Sequence, residues 1–235
     1  MIKKFFEKHE LFVCITLIVS YIVVNSLCVQ NWGVADYRSA IINTLFSLGL
    51  LCLIFAVKGV EYYGLKGVKN LEKYLYFIPL LLLISVNLWE GIHVQNTKTE
   101  ILFHILTMLN VGFIEEIVFR GFLFRMMEKE NVKIAILVNA LTFGIGHILN
   151  LLNGAEILPT LLQIGGATSI GFLFVTIFYK SGSILPCIIT HSLINALSIF
   201  RGGNEIVFYL SSIVLMVIPV LYAVYIYWRC EKPTK

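Results

Sequence analysis

Apolar residues along this chain fall in runs of about 20, the length at which a helix rising 1.5 Å per residue crosses a ~30 Å hydrocarbon layer. The chain of 235 residues is 58% hydrophobic and 14% charged, with a mean hydropathy of +0.86. A soluble domain carries roughly a quarter charged residues. Inside lipid every backbone polar group needs an internal partner, so the runs read as helices. The expected class is all-α: a polytopic membrane helix bundle of about eight spans, at 11–29, 39–57, 74–92, 101–126, 132–151, 157–179, 183–200 and 205–228. No repeat, long linker or soluble domain interrupts them, so residues 1–235 read as a single membrane domain.

Charge orients the bundle. With a cytoplasmic N-terminus, fourteen of the 18 Lys and Arg face inside, from Lys3, Lys4 and Lys8 to Arg229, Lys232 and Lys235. Only Arg38, Lys98 and Arg201 face outside, and Arg120 lies within a span. That bias predicts both termini in the cytoplasm and an even number of spans. It also accounts for the net charge of +4 without a nucleic-acid partner. The N-terminal stretch imitates a signal peptide, but no small-x-small site follows it, and Leu27 before Cys28 makes a poor lipoprotein site; it reads as a retained first span. Cys14, Cys28, Cys52, Cys187 and Cys230 show no C-x-x-C spacing and read as small hydrophobes. Loop 58–73, with Gly59, Gly64 and Gly67, leaves two readings open: a Lys-bearing segment on the cytoplasmic surface, or a plain solvated loop.

Charge inside a span costs about 2.5–3.5 kcal/mol even on the lenient insertion scale, so such residues face the bundle interior and mark function. The fourth span carries Glu115, Glu116 and Arg120. Glu116 and Arg120 are four apart, share a helix face and can pair. Glu115 is rotated from them by ~100° and lacks an in-helix cation, which suits a general base. The competing reading for all three is a structural ion cluster. The fifth span carries His147 behind Gly144 and Gly146, where a backbone or ligand can approach closely. The seventh carries His191 and Asn195 on one face. Each histidine alone reads more readily as a hydrogen-bonding contact between helices than as a catalyst. At 1.5 Å per residue, Glu115, His147 and His191 sit ~17, ~22 and ~12 Å above the cytoplasmic ends of their spans. Given boundary shifts of a few residues, they meet within one to two helical turns, as a site requires. His104, Asn110, Gln163, Thr168 and Ser169 read as packing or lining residues.

Glu115-Glu116…Arg120, Phe143…His147 and His191…Asn195 form an ordered pattern, E-E-x-x-x-R, F-x-x-x-H and H-x-x-x-N. It resembles the CPBP family of intramembrane peptidases, which includes the CAAX prenyl endopeptidases and bacterial relatives associated with bacteriocin self-immunity. The resemblance spans residues 101–200, the expected catalytic core helices. It implies a glutamate-type endopeptidase: Glu115 as the principal catalytic carboxylate, His147 polarising the attacking water, His191 and Asn195 stabilising the oxyanion, and Glu116 with Arg120 holding the constellation. No obligatory cofactor is expected. Zinc is the alternative, with Glu115, His147 and His191 as ligands and water in the fourth position.

The function expected is hydrolysis of a peptide bond in a small membrane-associated peptide or lipopeptide. The alternative is a non-catalytic bacteriocin immunity or binding protein on the same scaffold. A proton-coupled transporter ranks third, because no repeated halves are seen. High Ile, Lys and Asn content points to a multi-pass protein of a bacterial plasma membrane. Membrane lipid is the expected partner besides substrate, and the sequence leaves oligomeric state open.

Overall fold

A computed structural model describes residues 2–68 and 77–230. Lys69, Lys73, Lys232 and Lys235, and the first residues of the expected span 74–92, lie outside the described residues. All regular structure among the described residues is helical. The helices are α1 (Ile2–Lys8), α2 (Glu10–Trp32), α3 (Tyr37–Val57), α4 (Ile78–Ser85), α5 (Lys98–Met127), α6 (Val132–Leu151), α7 (Ile157–Ser181), α8 (Leu185–Phe200) and α9 (Glu205–Arg229). Among the described residues, six of the eight expected spans are helices long and apolar enough to cross a membrane: α2, α3, α5, α6, α7 and α9. The other two are shorter apolar helices, Pro79–Leu88 and Leu185–Phe200. The short basic helix α1 was not expected.

Local chemistry sets the helix ends. Asp36 caps α3 by accepting from Arg38 N at 2.8 Å. Thr97 and Glu100 form a capping box at the start of α5, each accepting from the other's backbone N–H. Asn131 caps α6 through the N–H groups of Lys133 and Ile134. These caps satisfy orphan N–H groups that lipid could not serve.

The bundle is built around α5. It packs on α3 and α8, while α7 packs between α6 and α9. Its stretch Ile117–Phe124 is a π-helix, and all eight residues are buried. The outer faces of α2, α3, α6 and α9 expose Leu, Ile, Val and Phe, the surface a lipid-facing perimeter needs. Two close approaches fix how the site-bearing helices meet. A Cβ on Gly112 of α5 would lie 2.4 Å from Ser192 Oγ on α8, and one on Gly144 of α6 would lie 2.9 Å from the Ile164 carbonyl oxygen of α7.

The described part of loop 58–73 is no plain solvated loop. Tyr63 is buried, with its ring centroid 4.6 Å from that of Phe122 in the π-helix. Ser183 Oγ donates to the Lys66 carbonyl, and Ile184 N to that of Gly64. The loop is thus pinned to the turn before α8.

Candidate active site

Three helices and the π-helix carry the sequence-selected residues to one place. Glu115 and Glu116 end the α-helical part of α5, and Arg120 lies within the π-helix. A π-helix widens the turn, and such segments concentrate at functional sites. Here it directly follows the two carboxylates. His147 lies in a 3-10 stretch, Gly146–Leu151, that ends α6. His191 and Asn195 lie on α8.

Glu115, His147, His191 and Asn195 line one cavity of about 560 Å³, together with Tyr21, Phe119 and Phe143. His191 stands between the two carboxylates. Its Nδ1 is 2.8 Å from Glu116 Oε1, and its Nε2 is 3.5 Å from Glu115 Oε2. An ionised Glu116 only accepts, so Nδ1 carries the hydrogen. Nε2 is then the nitrogen facing Glu115. It accepts when the ring is neutral and donates when the ring is doubly protonated.

Glu116 and Arg120 are fully buried. Arg120 Nη1 lies 3.2 Å from Glu116 Oε1, close enough for an ion pair. The contact lacks hydrogen-bond geometry, and no guanidinium nitrogen has an acceptor among the described residues. The guanidinium instead lies against two aromatic rings, 4.2 Å from the centroid of Phe143 and 5.7 Å from that of Phe174. A desolvated cation is favoured there by the negative ring faces, by about 2 kcal/mol. Phe143 also meets both histidines edge-on, at 5.8 Å from His147 and 5.6 Å from His191. The aromatic residue of F-x-x-x-H is thus the packing centre of the site.

The two glycines before His147 divide their work. Gly144 allows the close approach of α7, where a Cβ would lie 1.9 Å from Thr168 Oγ1. Gly146 has nothing within 4 Å of its Cβ position and lines the cavity.

Sequence reading missed three residues. Tyr21 on α2 donates to Glu115 Oε1 at 2.6 Å, so Glu115 is not unpartnered. Asn139, fully buried on α6, donates to the Phe119 carbonyl of the π-helix at 2.6 Å. Asn87 donates to the Ile194 carbonyl at 2.6 Å, beside Asn195. Asn139 and Asn87 each offered a signal, as an amide in a largely apolar span, and Tyr21 offered none. His104, read as a packing residue, places Nε2 3.2 Å from Ser198 Oγ and 3.4 Å from the Asn195 carbonyl.

Among the described residues, no three His, Cys, Asp or Glu side chains are grouped so as to hold an ion, and Glu115, His147 and His191 do not converge as ligands.

Residues 96–197 match the family model described as type II CAAX prenyl endopeptidase Rce1-like. No curated protein and no solved structure matches the chain.

Proposed function

We propose, from the match of residues 96–197 to the Rce1-like family model of type II CAAX prenyl endopeptidases, that the chain is a membrane-embedded, glutamate-type endopeptidase. Its substrate is a small membrane-associated peptide or lipopeptide, and its place is a bacterial plasma membrane. One observation carries the reading: Glu115 Oε2 faces His191 Nε2 at 3.5 Å across a cavity that His147 and Asn195 also line.

In the proposed reaction a water molecule sits between Glu115, His147 and the substrate carbonyl. Glu115 Oε2 takes one proton from the water while its oxygen attacks the carbonyl carbon. His147 orients the water. The doubly protonated His191 donates Nε2–H, and Asn195 its amide N–H, to the oxyanion of the tetrahedral intermediate. Glu115 then returns the proton to the leaving nitrogen as the C–N bond breaks, giving an acid and an amine. A positioned base contributes about 10²–10⁴-fold, and each oxyanion donor about 10²–10³-fold. Glu116 fixes the orientation of His191, as the orienting carboxylate does in a triad. Arg120 balances the charge of Glu116.

The test is a cleavage assay with the purified protein in lipid, against membrane peptides with and without a prenyl group. Cleavage that Glu115→Gln and His191→Ala each abolish, at unchanged folding, supports the reading. Cleavage that persists in both variants overturns the site. No cleavage of any peptide, with unchanged cellular function for Glu115→Gln, favours a binding or immunity protein on the same scaffold.

A further inference from the structure

The N-terminal part of the chain, outside the residues that carry the family match, also lines the cavity, and its Tyr21 reaches the candidate catalytic carboxylate. Helix α2 is mostly exposed to the surroundings of the bundle, and its buried residues are Cys14, Tyr21 and Cys28. They recur every seven residues, so they form one inward seam. Of the three, only Tyr21 has a side chain that lines the main cavity. Its hydroxyl donates to Glu115 Oε1 at 2.6 Å. The ring is 4% exposed and meets Phe46 of α3 edge-on, with centroids 6.1 Å apart and planes at 65°. The hydroxyl is therefore held by packing from a third helix.

We propose that Tyr21 is a positioning residue of the peptidase: it fastens Glu115 Oε1, so that Oε2 alone faces His191 and the cavity as the proton acceptor. This rests on the peptidase reading of the site. The argument is geometric. A carboxylate has two equivalent oxygens, and rotation of its terminal bond is soft. With Oε1 unheld, the carboxylate can turn both oxygens away from a productive position. A charge-assisted O–H···O⁻ bond of 2.6 Å removes that freedom. In this contact the hydroxyl donates to Glu115, and it takes no proton from the water. Helices α2 and α5 are joined at the depth of the chemistry by this contact, which makes α2 part of the functional unit.

The experiment compares wild type, Tyr21→Phe, Phe46→Leu and Glu115→Gln, each as the full chain in lipid nanodiscs. The probe is a fluorescence-quenched peptide found to be cleaved in the assay above. Tyr21→Phe keeps the ring and removes one oxygen. Its kcat is expected to fall by about tenfold or more with KM within about twofold, since only the geometry of the base changes. Phe46→Leu keeps the hydroxyl but loosens its ring, and a smaller fall in kcat is expected. A kcat within twofold of wild type for Tyr21→Phe, per folded molecule, overturns the proposal. So does a loss that appears only as raised KM or only as a lower folded fraction. Infrared difference spectra of wild type against Tyr21→Phe give a readout without substrate. A shifted carboxylate band that disappears in the Glu115→Gln background is expected, and its absence overturns the contact. If Glu115→Gln itself turns over normally, the site reading fails and this proposal with it. If Glu115→Gln is inactive and Tyr21→Phe is normal, only this proposal falls.

Discussion

His191 Nδ1 lies 2.8 Å from Glu116 Oε1, across two helices and 75 positions of sequence. The second glutamate of the E-E pair therefore does more than balance Arg120: it fixes which nitrogen of His191 is turned toward Glu115. The two carboxylates share one imidazole, one on each nitrogen.

That division predicts different variants for the two glutamates. Glu116→Gln keeps an acceptor for Nδ1 but replaces one of the two equivalent oxygens with an NH₂ that can only donate, so the ring is held less surely. Its kcat is expected to fall about 10²-fold with KM changed by less than about threefold, as for an orienting group. Steady-state kinetics on the purified variant check this. A wild-type kcat would remove Glu116 from the mechanism.

Arg120 is fully buried between two aromatic rings, with Glu116 beside it. Arg120→Met leaves Glu116 as a buried charge whose in-helix counter-ion is gone. The expected loss is about 3–5 kcal/mol, the usual cost of breaking one side of a buried pair. Combining it with Glu116→Gln should recover part of that loss, because the two residues are coupled. Denaturation in mixed micelles measures both. Strictly additive effects would argue against the pairing.

Gly112 and Gly146 should behave oppositely. An Ala Cβ at position 112 would sit 2.4 Å from Ser192 Oγ and 2.7 Å from its backbone N, next to His191. Gly112→Ala is expected to destabilise by about 1–3 kcal/mol, because the backbone of α8 must move. Gly146 has open space around it and helical dihedrals. Gly146→Ala should stay within about 1 kcal/mol of wild type, since helix propensity favours Ala. Equal melting temperatures for the two variants would contradict the packing described for α5 and α8.

Asp36 offers a pH test outside the spans. Its hydrogen bonds with the Arg38 side chain and backbone hold its carboxyl down to about 2. A folded-state value below the unfolded one means that the contribution is fully present above about pH 4 and fades as pH falls toward 2. Asp36→Ala should therefore lower the melting temperature by the same amount at pH 7 and pH 5, and by less at pH 3. A difference that grew on acidification would reverse the sign and discard the cap.

Chelation provides the last test. Since Glu115, His147 and His191 do not converge as ligands, prolonged dialysis against a chelator is expected to leave turnover unchanged. Loss of turnover, restored by added zinc, would require a rearranged site with three protein ligands.

The membrane character of the chain was legible in its sequence, because lipid imposes a length and a composition on each span and leaves the backbone one local solution. The polar residues of α5, α6 and α8 were legible for the same reason, as charge and imidazole stand out against an apolar background. Their depths could be estimated from helix rise alone, and the four cavity-lining residues do share one cavity. The remaining features depended on contacts between distant segments. Tyr21 in an apolar run resembles any core aromatic until α2 brings it to Glu115, 94 positions away. Nothing in Ile117–Phe124 marks a π-helix, whose wider turn is held within a buried environment and whose Phe119 carbonyl is served by Asn139 of another helix. Local physics determined what each segment could be, and tertiary packing decided which oxygen and which nitrogen face each other.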